Sequence, residues 1–91
     1  MPTLDSTIQI PQDVLFHELA GEAVLLNLET GKYFGLDEIG TRMWMLLSEH
    51  GRVEPVLRAL LEEYDVEEAQ LSHDLFELID RLVTNGLVKI T

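Results

Sequence analysis

The sequence predicts an α+β fold in which a three-stranded antiparallel sheet is followed by three helices. Apolar residues recur with a period of two before residue 37 and with a period near 3.6 after it. Glycines at positions 21 and 31 divide the first half into short extended segments. Because strands and helices are separated along the chain, we expect the helices to cover one face of a small antiparallel sheet.

The first half of the chain predicts two consecutive hairpins. Extended segments at 14–19 and 22–28 flank a turn near Gly21, and a three-residue loop at 29–31 leads into a strand at Lys32–Leu36. Gly31, the third loop residue, supplies the left-handed conformation that such a loop requires. Because the third strand runs directly into a helix, one of its edges has no hairpin partner.

Three helices are predicted after this strand. Asp37 is the expected N-cap of the first helix, which ends near Gly51. The second helix has the strongest helical periodicity, with apolar residues at 53, 56, 57, 60, 61 and 64. An aspartate version of the capping box, Asp65 with Glu68, predicts the start of the third helix, and Asn85-Gly86 predicts its end.

The third helix carries an apolar face that is wider than contact with one surface requires. One stripe contains Leu71, Leu75, Leu78 and Leu82, and a second, displaced to one side, contains Phe76, Ile79 and Val83. If one stripe faces the core, the other needs another surface. An open strand edge beside this helix predicts a groove suited to an extended peptide.

Composition predicts one small domain with a single core. We expect residues 1–12 to form a loose N-terminal arm and residues 13–91 to form the domain. The 91 residues include no cysteine, which excludes disulfides and thiol chemistry. No secretory signal or long apolar segment is visible, so a cytoplasmic location is expected, with no membrane partner.

No catalytic or metal-binding pattern appears in the sequence. His73 with Asp74 and Glu77 is the nearest approach to a metal site, but only positions 73 and 77 share a helix face. The many carboxylates are typical of a solvated acidic surface, and no serine lies in a nucleophile motif. We therefore predict that the protein is not an enzyme and binds no metal or cofactor.

The order of elements has a winged helix-turn-helix outline, which raises the question of nucleic-acid binding. Six basic residues against 17 acidic ones give a net charge of −11. The candidate recognition helix, residues 67–85, carries Arg81 as its one basic residue against five acidic residues. This charge opposes phosphate contact, so no nucleic-acid partner is expected. A winged-helix transcriptional module, a generic protein-interaction module and a non-catalytic enzyme subunit remain alternative hypotheses.

Three segments resemble one known family: LLNLETGKYFGLDEIGTRMWMLL, LRALLEEYDV and LSHDLFELIDRLVTNGLV. Together they are similar to the PqqD-like recognition elements, which include the D protein of pyrroloquinoline quinone biosynthesis and the stand-alone partners of lasso-peptide leader peptidases. The resemblance covers residues 14–88. It implies a non-catalytic adaptor that binds the leader segment of a ribosomally made precursor peptide and presents it to a separate maturation enzyme or leader peptidase.

The resemblance also places the binding site on the third strand, against the third helix. The predicted peptide-binding residues are Lys32, Tyr33, Phe34, Gly35, Leu36, Asp74, Leu75, Leu78, Ile79 and Leu82. The acidic balance of the chain favours a leader that carries lysine or arginine. The same open edge is a candidate surface for a homodimer.

Overall fold

The computed structural model describes residues 2–91, and within this range it contains five strands and three helices. Their bounds are β1 (Ile8–Gln9), β2 (Val14–Leu19), β3 (Glu22–Asn27), β4 (Lys32–Leu36), α1 (Glu38–His50), α2 (Val53–Glu63), α3 (Glu68–Thr84) and β5 (Lys89–Ile90). Strands β2, β3 and β4 form one antiparallel sheet in sequence order. The predicted α+β fold, three strands followed by three helices, is confirmed.

The inner face of the sheet lies against the helices. Leu25 in the central strand is fully buried and stands opposite Phe16 on one side and Phe34 on the other. The core continues through the apolar faces of all three helices, whose fully buried members include Leu47, Leu60 and Leu75. The hydrophobic effect therefore fixes the helices on one face of the sheet, as the sequence predicts.

The outer face of the sheet carries exposed apolar side chains. Leu15, Leu19, Val24 and Tyr33 alternate with the inward-facing residues of their strands and are between 44% and 77% exposed. This surface is on the opposite side of the sheet from the helices. Among residues 2–91, no helix combines the length and the apolar character needed to cross a membrane.

The hairpin between β3 and β4 has a four-residue loop, 28–31, and not the three-residue loop expected. Strand β3 ends at Asn27, which is the register partner of Lys32. The backbone amide of Gly31 donates to the Asn27 carbonyl oxygen at 2.7 Å, and Gly31 has a φ of 74°. The requirement for glycine is thus confirmed, although the loop is one residue longer.

Two of the predicted helix ends are confirmed and one helix start is corrected. The Asp37 carboxylate accepts from the Gly40 amide at 2.7 Å, and Gly51, with a φ of 69°, ends α1. Helix α3 begins at Glu68 without a side-chain capping bond. The capping box predicted at Asp65 is therefore wrong, because Glu68 is the first helical residue and cannot be the third.

The N-terminal segment, where a loose arm is expected at residues 1–12, contains a short strand that pairs with the end of the chain. Strand β1 pairs antiparallel with β5, with Ile8 opposite Ile90, and the Ile8 amide donates to the Gly51 carbonyl at 2.7 Å. Ile8 is buried, and this burial explains why the segment is held in place. Met1, the first residue of the expected arm, lies outside the described residues.

Candidate peptide-binding groove

Strand β4 is an edge strand, and its outer edge carries unpaired backbone groups. The Leu28 amide donates to the Asp13 carbonyl at 2.8 Å, which identifies the hydrogen-bonded pairs between β2 and β3. Bonding alternates along an antiparallel ladder, so Phe34 bonds to β3 while Tyr33 and Gly35 direct their amides and carbonyls outward. Two donors and two acceptors therefore face the open edge.

A groove runs beside this edge, between β4, the start of α1 and one side of α3. It consists of two adjoining depressions of about 280 and about 220 Å³, which share Asp37, Gly40, Leu78 and Arg81. The first is completed by Phe34, Gly35 and Leu36, and the second by Ile39, Met43, Asp74 and Glu77. Apolar side chains form part of the lining and charged side chains of α3 form its rim.

Gly40 lines both depressions and leaves little room for a side chain of its own. A Cβ atom at this position would lie 3.1 Å from the capping oxygen of Asp37 and 3.3 Å from the Leu36 side chain. Glycine within a helix costs about 1 kcal/mol relative to alanine, so its presence in the first turn of α1 indicates a packing requirement. Sequence reasoning missed this residue as part of the site, although that cost was a usable signal.

The structure brings five of the ten predicted site residues to the groove. Phe34, Gly35, Leu36, Asp74 and Leu78 line it. Tyr33 contributes its backbone to the open edge, but its side chain points to the outer face and is 77% exposed. Lys32 is exposed at the start of β4.

Three of the predicted residues do not reach the groove. Leu75, Ile79 and Leu82 have no exposed surface, because they form the part of α3 that packs in the core. Side-chain contact between these residues and a peptide is therefore corrected to a structural role. Helical periodicity identifies the apolar positions of a helix, but it does not say which of them borders an opening.

The second apolar stripe of α3 also lies elsewhere. At 100° per residue, Phe76 and Val83 are roughly opposite Asp74 and Arg81 around the helix, so they are on the flank away from the groove. The helix wall of the groove is instead formed by Leu78 with three charged residues, Asp74, Glu77 and Arg81.

Arg81 is the basic residue of the groove lining, and sequence reasoning had noted it only for its charge. Its guanidinium carbon lies 5.1 Å from the centroid of the Phe34 ring. Such a cation–π contact contributes about 0.5–1 kcal/mol at an exposed site. Within residues 2–91, no carboxylate oxygen lies within 4.0 Å of its side-chain nitrogens.

Asn27 joins the β3–β4 loop to the end of α3. Its side-chain amide donates to the Gly86 carbonyl at 3.2 Å, and its side-chain oxygen accepts from the amides of Glu29 and Thr30 at 2.9 and 3.3 Å. Gly86 follows the helix with a φ of 71°, which confirms the predicted left-handed stop. The contact fixes the end of α3 relative to the hairpin that carries β4.

The residues closest to a metal-ligand pattern form an exposed pair. The His73 ring nitrogen Nε2 lies 3.4 Å from a Glu77 carboxylate oxygen, and both side chains are more than half exposed. In the range 2–91, no group of three histidine, aspartate or glutamate side chains is arranged to hold a metal ion.

Proteins with a related sequence identify the family of this chain. A family model described as coenzyme PQQ synthesis protein D (PqqD) matches residues 22–88, which is most of the chain and includes β3, β4 and all three helices. The chain belongs to the PqqD family. Among curated proteins, none matches this chain.

Two solved structures share the fold of this PqqD-family chain. TbiB1 in complex with the TbiA(beta) leader peptide is 37% identical, with a TM-score of 0.83 over 89% of this chain and 94% of that one. A lasso peptide synthetase B1 complexed with its leader peptide is 22% identical, with a TM-score of 0.81 over 91% of this chain and 98% of that one. At that identity the second structure bears on the fold alone.

Proposed function

We propose that this PqqD-family protein is a non-catalytic adaptor that binds the leader segment of a ribosomally made precursor peptide as an added strand on β4. The observation that carries the proposal is the open edge of β4 directly beside a groove of mixed apolar and charged lining. The match to TbiB1, which was solved with a leader peptide, supports it.

Backbone and side chains have different roles in the proposed binding mode. Tyr33 and Gly35 offer the outward amides and carbonyls with which an extended peptide pairs, and this pairing makes little demand on sequence. The depression lined by Leu36, Gly40 and Leu78 receives an apolar side chain of the peptide. Selectivity therefore arises in the groove, while the edge supplies sequence-independent affinity.

The proposal includes a separate maturation enzyme or leader peptidase to which the bound leader is presented. The exposed outer face of the sheet supports this part, because it is continuous with β4 yet does not line the groove. An enzyme bound there would lie next to the peptide without displacing it. A second copy of this acidic chain is a less favourable occupant, since two net charges of −11 repel each other.

Substitution of Gly35 tests the strand-addition step. Gly35→Pro removes the outward-facing amide but no hydrogen bond to β3, whereas Gly35→Ala keeps the amide and places its Cβ where no atom lies within 4 Å. We expect the proline variant to bind a fluorescent leader peptide about tenfold more weakly, and the alanine variant to bind as the wild type does.

The peptide probes are the leader of a precursor encoded beside this protein and, as a reference, the TbiA(beta) leader. Fluorescence anisotropy gives the dissociation constants, and NMR titration reports whether the amides at 32–36 shift. Saturable binding with unchanged signals at 32–36, or equal affinity of both Gly35 variants, would contradict strand addition on β4.

A further inference from the structure

Charge is unevenly distributed along the groove, although the molecule as a whole is strongly acidic. Arg81 and the N-capping Asp37 border both depressions, whereas Asp74 and Glu77 border only the one formed by Ile39 and Met43. Asp74, Glu77 and Arg81 are spaced i, i+3 and i+7 on one face of α3. With a rise of about 1.5 Å per residue, the carboxylates lie about 6 and about 10 Å along the helix from Arg81.

The surroundings of Arg81 favour binding of an anionic group of the ligand. The Arg81 guanidinium carbon lies over the Phe34 ring at 5.1 Å, a contact that uses a face of the guanidinium and no N–H group, so its N–H groups are available for two parallel bonds to a carboxylate. The described part of the chain offers Arg81 and Arg52 no carboxylate within 4.0 Å, whereas Arg42 and Arg58 each have one, and of the two unpaired arginines only Arg81 lines the groove. In a chain with 17 acidic residues, an unpaired arginine in a binding groove points to a carboxylate on the ligand.

The opposite end of the groove has the reverse preference. Asp74 and Glu77 are exposed at its rim on α3, and Ile39 and Met43 of α1 line the same depression. Apolar surface beside carboxylates suits a lysine or arginine, whose aliphatic stem packs while its charged head stays hydrated. The acidic character of the chain therefore favours a basic ligand residue at this end of the groove, but not at the end formed by Phe34.

We propose that the groove reads the order of charges in the bound peptide, with Arg81 as the specificity-determining residue for an acidic side chain. Side chains on one face of a strand recur about every 6.7 Å, so a separation of two positions matches the spacing of Glu77 and Arg81. A separation of four positions, about 13 Å, requires a long basic side chain that extends back to Asp74. In a strand antiparallel to β4, the amino end of the peptide lies near Leu36. The basic residue then precedes the acidic one. This inference rests on the proposed function.

A displayed library of random linear peptides tests the charge order, with selection against the wild type and against Arg81→Glu. We expect wild-type selection to enrich a basic residue two or four positions before an acidic one. The Arg81→Glu variant should enrich a basic residue at the acidic position and keep the same apolar positions. Circular dichroism establishes that the variant is folded, and Arg81→Gln, which removes the charge without reversing it, serves as a second variant.

An enriched peptide then enters a double-mutant cycle measured by fluorescence anisotropy. Exchange of its acidic residue for lysine should weaken binding to the wild type by about tenfold and restore binding to Arg81→Glu. Enrichment with no change of charge between the two selections would overturn the charge-order inference and leave peptide binding intact. Failure to enrich any peptide on the wild type would overturn both proposals.

Discussion

Single residues hold the two walls of the groove at a fixed separation. Asn27 is buried, and its side chain uses both its donor and its acceptor, to the Gly86 carbonyl and to two loop amides. A buried amide group is stabilising only when it is satisfied in this way. The contact spans the β3–β4 loop and the end of α3, so it links hairpin geometry to helix position.

Replacement of Asn27 by alanine should lower the free energy of unfolding by about 1–3 kcal/mol, because the Gly86 carbonyl and the loop amides lose a buried partner. Urea denaturation measures the change. Thr30→Ala in the same loop removes only an exposed hydroxyl contact to the Lys32 amide, so its effect should stay within about 0.5 kcal/mol. Equal losses in both variants would show that Asn27 has no special role.

Predictions about single residues were confirmed where the conformation depends on neighbouring residues in the sequence. Asp37 at the N-cap and the left-handed Gly31 depend on a few neighbouring residues, and both are confirmed. The groove roles of Gly40 and Arg81 depend on which elements meet in space. The residue types were visible in the sequence, but the residues that lie beside them in space were not.

At the level of elements, helix faces were predicted better than helix partners. The 3.6 period identified the apolar residues of α3, yet the groove is bordered by the charged flank and not by the second apolar stripe. Periodicity measures how far an apolar face extends around a helix. The direction of that face depends on the packing of α3 against α2 and the sheet, which involves distant parts of the chain.

The first two helices are joined by a two-point ion pair. Arg42 donates to both carboxylate oxygens of Glu63, at 2.8 and 2.6 Å. The hydrogen bonds from Arg42 hold the pKa of the Glu63 carboxyl below its ordinary value. Because this pKa is lower in the folded state, the pair stabilises the fold above the unfolded-state pKa, and the stabilisation is lost as pH falls through the folded-state pKa.

Glu63→Gln should therefore destabilise the protein at neutral pH and lose this effect in acid. The pair is about one-third exposed, so we expect a difference of no more than about 1 kcal/mol at pH 7. The difference should shrink as pH falls through the folded-state pKa of Glu63 and vanish once this carboxyl is protonated in both the folded and unfolded states. Urea denaturation at a series of pH values measures it. The neighbouring exposed Glu62, which forms no ion pair within residues 2–91, supplies the control Glu62→Gln. The same pH dependence in both variants would contradict the assignment.

At the level of the whole molecule, the open edge of β4 favours pairing of two copies, whereas the large negative charge opposes it. The edge of β4 offers the same unpaired groups to a peptide and to the β4 of a second copy. Pairing of two copies brings together two net charges of −11, whereas a peptide with both charge signs avoids this repulsion. The charge therefore favours peptide over self-pairing, and a homodimer through this edge remains one of the alternatives that the sequence leaves open.

Salt concentration should control any self-pairing. At about 0.01 M ionic strength the repulsion extends roughly 30 Å, and at about 1 M only roughly 3 Å, so we expect monomers at low salt and a dimer fraction that rises with added salt. Sedimentation velocity measures the distribution. If the dimer forms through β4, Gly35→Pro should abolish it and Gly35→Ala should not, since only proline removes an outward amide. A dimer that persists at low salt would contradict control by charge repulsion. A dimer that persists in the proline variant would place the contact on another surface, and the exposed Leu19 and Val24 identify the outer sheet face as the one to mutate next.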